Sequence, residues 1–423
     1  MNSKIPATVE HVQVTWTDLC NLTRARMVLK SRFDDIKTNG LSVTSAILSF
    51  PMMYDGMLPN ESSAGEVRLV PSATVKALPW APEVGITFGS FSDGDKPWNR
   101  CPRSFLANQA QKLQLESLKL TVGFELEFVV NNLDGTPLDQ TIYCETKSFR
   151  GKGWKVLSKI VESLKQLDIP VWQYHSESAH GQFEISIGPF VDSPLLAADS
   201  LVLARQTIYS VADTLGCQAT FLPKPYPMQA GSAAHTHVSL THGNENVMSK
   251  PIGHSFLAGV HHHLPDLLPI LNPTLNSYDR LQAHCWAGVY QCIGTENKEA
   301  PIRLIKGPKG GLERFEIKTA DGTSNPYLML GIYIAAGLDG VKSKFNLPSE
   351  INVDPATLPE SERPLLFSTT LTAALEKFKK SEFVLNTFGS DLLELIAKGR
   401  QAEIDIFEQS TPEQIKEFLL KRY

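Results

Sequence analysis

Four short segments of the sequence carry polar side chains on alternate residues, and a strand puts residues i and i+2 on one face. Glu125 and Glu127 therefore project together in GFELEFVV, and Glu184 and Ser186 do so in GQFEISIGP. His235, His237 and Ser239 share a face in GSAAHTHVSL, as do Arg314, Glu316 and Lys318 in LERFEIKT. Glu177 precedes Glu184 across a turn at Gly181. The intervening residues, among them Phe124, Leu126, Phe128, Ile185, Phe315 and Ile317, are large and apolar, so the opposite face of each segment is expected in a core. One such pair is usually the solvated side of an amphipathic strand. Four in one chain point to strands whose polar faces line a shared cavity.

Converging carboxylates repel. Two unit charges ~4 Å apart cost about 1 kcal/mol in water and about 4 kcal/mol at an effective dielectric near 20. Glutamates gathered in one cleft therefore need cations or shifted protonation. Carboxylate oxygens with one or two imidazoles suit Mg²⁺ or Mn²⁺ rather than a thiolate-type zinc site. Arginine and lysine beside them suit anionic substrate oxygens.

The rest of the chain reads as an α+β protein. Strands are expected at His11–Thr17 and Arg24–Leu29, and turns from Pro51 to Gly65. From there the spacing predicts a helix over Phe105–Leu118, a strand over Leu120–Val130 and a helix over Trp154–Leu167. A helical tail is expected over Ala356–Lys379, Ser390–Arg400 and Thr411–Lys421. A small β-rich domain over residues 1–102 and a larger α+β domain over 103–423 account for this pattern. A net charge of −5 without a basic block gives no reason to expect nucleic acid or an anionic membrane as partner. No apolar run approaches the ~20 residues that span a bilayer. The opening MNSKIPATVEHVQ lacks the apolar core of a secretory signal, and the cysteines are scattered, so a cytoplasmic protein with reduced thiols is expected.

The same segments, with NPTLNSYDRL, ESAHGQFE, GTENKEAPIRLI and ERFEIKTADGTSNPYLMLGIYIAAGLDGV, stand in the order and spacing of the glutamine synthetase family. The chain resembles that family over nearly its whole length. The tract from Trp286 to Gly340 looks most like the glutamine synthetase-like domain of fungal FluG-type proteins. The resemblance implies an N-terminal β-grasp domain and a catalytic domain with a curved antiparallel sheet flanked by helices. It also implies homo-oligomeric rings with active sites between subunits, and ATP with Mg²⁺ or Mn²⁺. Carried over by position, Glu127, Glu177 and Glu184 would hold one metal, and Glu125, His235 and Glu316 another. His237, Ser239 and Arg314 match nucleotide-contacting positions. Arg280 and Gly231 match positions that bind the substrate acid, and Arg303 one close to the phosphoryl path.

Several positions depart from the family pattern. Trp286, in CWAG, stands where the family's flap supplies a glutamate that helps deprotonate ammonium. Lys298 replaces a phosphate-binding arginine, and Lys318 an arginine that helps bind the α-carboxylate of glutamate. Ala230 replaces an asparagine. Glu66 stands about where an acidic residue lines the ammonium region, with Asp55 a looser match. The implied function is an ATP-dependent carboxylate–amine ligase. It would act through an acyl phosphate on a small-molecule acid and an organic amine, giving a γ-glutamyl or related amide. Glutamine synthesis from ammonium, or a non-catalytic assembly or regulatory protein, are the alternatives.

Overall fold

The computed structural model describes residues 5–423. Its first sheet is built from β1 (His11–Thr17), β2 (Thr23–Leu29), β3 (Leu41–Thr44), β4 (Glu66–Pro71), β5 (Lys76–Leu78), β6 (Ala81–Asp93) and β7 (Lys96–Pro97). The order is β2-β1-β6-β4-β3, with β5 and β7 also paired to β6. β1 runs parallel to β6, and the helix Phe33–Asn39 leads from the first hairpin to β3, a grasp-like arrangement. The turn-rich stretch between β3 and β4 has no regular strand.

The second sheet contains β8 (Leu118–Asn132), β9 (Val171–Ser176), β10 (Gln182–Val191), β11 (Cys217–Thr220), β12 (Ala234–His242), β13 (Glu245–Asn246), β14 (Ile293–Thr295), β15 (Ile302–Lys306) and β16 (Leu312–Ile317). Its path is β14-β15-β16-β12-β8-β10-β9, with β11 added to β8 and β13 to β12. All pairs are antiparallel except β14 with β15, which runs parallel at the edge. This is the curved sheet of the expected α+β fold. β8 shows why it forms: Leu118, Leu120, Val122, Phe124, Leu126, Phe128 and Val130 are all buried at period two. Phe128 lies about 6 Å from both Phe183 and Phe221, so the apolar face is closed by aromatic contacts. Helices Pro102–Leu115, Pro194–Thr214 and Pro326–Ser343 pack behind it, leaving the polar face open. One buried apolar cluster runs from Val14 in β1 to Ala397 near the end of the chain.

Two expected helices are corrected. The helix predicted over Phe105–Leu118 spans Pro102–Leu115. Proline is well placed in its first turn, and the positive φ of Ser117 ends it before β8. The helix predicted over Ala356–Lys379 is replaced by two short 3₁₀ turns, and the helix Leu371–Lys380 starts only at the Thr370 cap. Pro359 and Pro364 deny the intervening stretch a continuous helix.

Candidate active site

Strand register assembles the site. Glu125 lies opposite His235 across β8 and β12, and Glu127 opposite Glu184 across β8 and β10. Glu316 lies opposite His237 on one side and Arg303 on the other. Glu184 also faces His175 of β9. Because side chains alternate, these pairings put the acidic and imidazole groups on the open face of the sheet. There they line a cavity of about 790 Å³. Another cavity, of about 810 Å³, lies beside Arg205 and Tyr209, away from this cluster. Its lining has no comparable gathering of carboxylates and imidazoles, so the chemistry is assigned to the strand-lined cavity.

The polar groups of the cluster are joined by short contacts. Glu125 accepts from His235 at 3.1 Å and from His237 at 3.0 Å. His235 Nδ1 also lies 3.2 Å from Glu316. Glu316 receives Arg303 at 3.1 Å and Lys318 at 3.2 Å. His237 Nδ1 accepts from Arg314 Nε at 3.4 Å. On the other side, Glu177 accepts from His175 at 3.1 Å, and His175 Nδ1 lies 4.0 Å from Glu184. Glu127 accepts the backbone N–H of Ala233 at 2.9 Å.

These contacts divide the carboxyls electrostatically. Burial opposes ionisation of Glu125, but hydrogen bonds from His235 and His237 outweigh it and hold its carboxyl far below the usual range. Burial likewise opposes ionisation of Glu316, while the charges of Lys318 and His235 bring it down to about 2. Glu184 behaves oppositely: burial, then the negative charges of Glu125, Glu127 and Glu177, push it up to about 10. Burial raises Glu127 as well. The cluster is short of positive charge on the Glu184 side.

Bound divalent cations would supply that charge, and the donors fit them. Three groups each offer three ligand atoms within 4.8 Å of one another: Glu125–His237–Glu316, Glu125–Glu184–His235 and His175–Glu177–Glu184. Oxygen donors with an imidazole in each group match the preferences of Mg²⁺ and Mn²⁺.

The other residues singled out in the sequence fall into two sets. Arg303, Arg314, Lys318, Arg280, Gly231, Ala230, Trp286 and Lys298 line the cavity. Arg280 is buried, and its Nη atoms donate to the carbonyls of Thr319 and Lys318 at 2.9 and 2.7 Å. A Cβ on Gly231 would meet Arg280 Cγ at 2.8 Å, so glycine lets that arginine lie close. Glu66 and Ser239 are not cavity residues of this chain. Glu66 is exposed at the start of β4, and Ser239 is half-buried farther along β12, opposite Thr121. Asp55 is exposed in the turn-rich stretch. Sequence reasoning missed His175, Tyr143 and Gln182. Gln182 Nε2 ties Glu127 to the Gly231 carbonyl and the Ser232 hydroxyl. His175 stands two residues before Glu177, the same alternation that marked the other strands.

The sequence model of "Glutamine synthetase, catalytic domain" matches residues 99–418. The chain belongs to the glutamine synthetase family. The family consists generally of ATP-dependent ligases that use divalent metals, act on small-molecule substrates and typically form oligomers. Protein fluG of Emericella nidulans is 32% identical over 97% of this chain, which spans about half (49%) of that longer protein. A type-1 glutamine synthetase of Dictyostelium discoideum is 30% identical, covering 97% of this chain and 89% of that protein. A γ-glutamylpolyamine synthetase of Streptomyces coelicolor is 28% identical over 93% of this chain and 90% of its own length. Among solved structures, GmaS without ligand superposes with a TM-score of 0.84 at 25% identity, over 96% of each chain. None of the described helices is long and apolar enough to cross a membrane.

Proposed function

We propose that this family member joins the carboxyl of glutamate, or of a closely related acid, to an organic amine at the expense of ATP. The carrying observation is Trp286. It stands at the cavity mouth, half-exposed, with its ring 6.5 Å from Tyr143 and edge-on to it. Lys298 lies over its face at 4.2 Å. A family flap built around a carboxylate favours ammonium. An indole and a phenol at the same entrance favour a donor with carbon attached, through apolar contact and attraction of a cation to the ring face. The likeness to a γ-glutamylpolyamine synthetase supports the reading.

In this reading Glu127, Glu177 and Glu184 hold one divalent ion, with His175 beside them. Glu125 and Glu316 hold another, with His235 and His237 as the nearest imidazoles. When bound there, the ions would supply positive charge against the charge that builds on the transferred phosphoryl group. The substrate carboxylate oxygen attacks the γ-phosphorus, ADP departs and an acyl phosphate remains. The neutral amine nitrogen then attacks the acyl carbon, phosphate leaves, and the nitrogen loses one proton to water or to the departing phosphate. Arg303, beside Glu316, and Lys298 offer positive charge to the phosphoryl oxygens. Arg314 and His237 face the nucleotide, whereas Ser239 lies farther along β12, outside the cavity. Arg280, Gly231 and Lys318 shape the acid pocket. Glu66, exposed and outside its own chain's cavity, serves a neighbouring subunit's cavity in a homo-oligomeric ring. The protein works in the cytoplasm.

The test is ADP release with a panel of acids and amines in Mg²⁺ or Mn²⁺. Glutamate with an alkylamine or polyamine should turn over faster than glutamate with ammonium. Equal or better use of ammonium would return the protein to glutamine synthesis. No turnover with any pair, despite nucleotide binding, would sink the ligase reading.

A further inference from the structure

We infer that Glu299 is a positioning residue for the choice of amine: its carboxylate holds the main chain of Trp286 and so sets where the indole stands over the cavity mouth. The inference rests on the proposed use of an organic amine and concerns the surface that such an amine would meet.

Residues 282–288 cross the rim of the cavity as irregular backbone between the helix Leu275–Arg280 and β14. Left-handed φ values recur there on alternate residues: 62° at His284, 53° at Trp286 and 66° at Gly288. Glycine takes such a conformation freely, whereas a bulky residue takes it only where its surroundings impose it. For Trp286 the surroundings are residues 297–301. The Trp286 N–H donates to Glu299 Oε1 at 3.2 Å. Lys298 Nζ lies 4.2 Å from the centre of the indole, so successive residues grip the ring and the main chain. A Cβ on Gly288 would meet Pro301 Cα at 2.4 Å, which shows how closely the two segments run.

The gripping turn is itself fixed from behind. The Glu299 N–H donates to Asn297 Oδ1 at 3.0 Å, and Asn297 Nδ2 donates to the carbonyls of Ile351 and Val353 at 2.7 and 2.9 Å. The next residue, Asp354, returns to the rim, where its carboxylate pairs with His284 Nδ1 at 2.7 Å. The contacts thus close a circuit in which Glu299 is the link to the Trp286 main chain. Glu299 is half-buried and does not line the cavity, so it acts through Trp286 and not on the substrate. The link needs an acceptor oxygen, which glutamine keeps and alanine lacks.

The experiment is ADP release by the full chain against butylamine concentration, at saturating glutamate, ATP and Mg²⁺. Glu299→Ala should raise the KM for butylamine about fivefold, the effect of losing one ordinary hydrogen bond, and leave kcat in place. A merely destabilising change would lower kcat instead. Glu299→Gln should keep the natural KM. In a Trp286→Gly background Glu299→Ala should add nothing, because the ring through which Glu299 acts is gone. An unchanged KM in Glu299→Ala, an equal loss in Glu299→Gln, or a loss that persists beside Trp286→Gly each overturns the inference. Absence of turnover with any amine overturns the proposed function, and fluorescence then decides the positioning separately. Acrylamide quenching of Trp286, taken as the difference between each protein and its Trp286→Phe counterpart, should rise in Glu299→Ala and not in Glu299→Gln. Equal quenching in the natural protein and Glu299→Ala overturns the inference.

Discussion

Lys298 holds its ammonium 4.2 Å above the ring centroid of Trp286, at the entrance of the acidic cavity. The indole face is thus shown to accept a cation in this fold, where such contacts contribute about 0.5–2 kcal/mol. Replacing Trp286 with glutamate should move the proposed ligase activity toward ammonium. The ratio of kcat/KM for an alkylamine over that for ammonium should fall at least about tenfold, since ~1.4 kcal/mol is one decade. Trp286→Phe should keep most of the preference. The ADP-release assay measures both, and an unchanged ratio in Trp286→Glu would remove Trp286 from donor selection.

His175 supports Glu177 from 3.1 Å and stands within reach of Glu184. Groups that orient or complete a metal site commonly change affinity by about 10–100-fold when removed. His175→Ala should weaken Mn²⁺ binding by that factor while shifting the melting temperature of the metal-free protein little. Calorimetric titration and thermal scans in EDTA check the two halves separately.

The elevated carboxyl of Glu184 links stability, pH and metal. Burial first, and neighbouring carboxylates second, carry it from an ordinary 4.5 up to about 10. A folded value above the unfolded one means the metal-free fold gains stability that is complete below the ordinary value and is lost as pH rises toward 10. An ion needs the ionised carboxylate and displaces that proton, so its apparent affinity should rise by up to about tenfold per pH unit. The gap in melting temperature between Mn²⁺-loaded and EDTA-treated protein should therefore widen from pH 6 to pH 9. A constant gap would contradict the assignment of Glu184 as a ligand.

Arg103 makes a bidentate pair with Asp199 at 3.0 and 2.9 Å and a third bond to Ser90 of β6. Tyr327 closes the network on Asp199 at 2.7 Å. The first sheet and three helices are thereby joined through one mostly buried guanidinium. Arg103→Ala leaves the Asp199 charge without its partner, a change that costs about 3–5 kcal/mol in buried pairs. Urea unfolding should show a loss of that order. The folded fraction should retain its kcat, because Arg103 is remote from the cavity.

Side-chain period made much of the fold readable. β8 alternates so regularly that the expected strand at Leu120–Val130 differs from the observed Leu118–Asn132 by two residues at each end. The Trp154–Leu167 helix lies close to the observed Gly151–Gln166 because Leu157, Ile160 and Leu164 repeat on one buried stripe. In the tail only the stretch before Leu371 departs from the expected helices, because Pro359 and Pro364 interrupt it; the helices Glu382–Phe407 and Pro412–Leu420 contain or closely match the expected Ser390–Arg400 and Thr411–Lys421.

The sequence by itself determined which faces are acidic and which apolar, because alternation is written into each strand. Partners across strands belong to the tertiary structure: register put His235 against Glu125 and brought His175 to Glu184 from the neighbouring strand β9. Tertiary packing also turned Arg280 onto the carbonyls of Thr319 and Lys318, and pressed the Lys318 ammonium between His235 and Glu316. Local spacing encodes direction along one strand, whereas distance between strands depends on pairing and burial across the whole sheet.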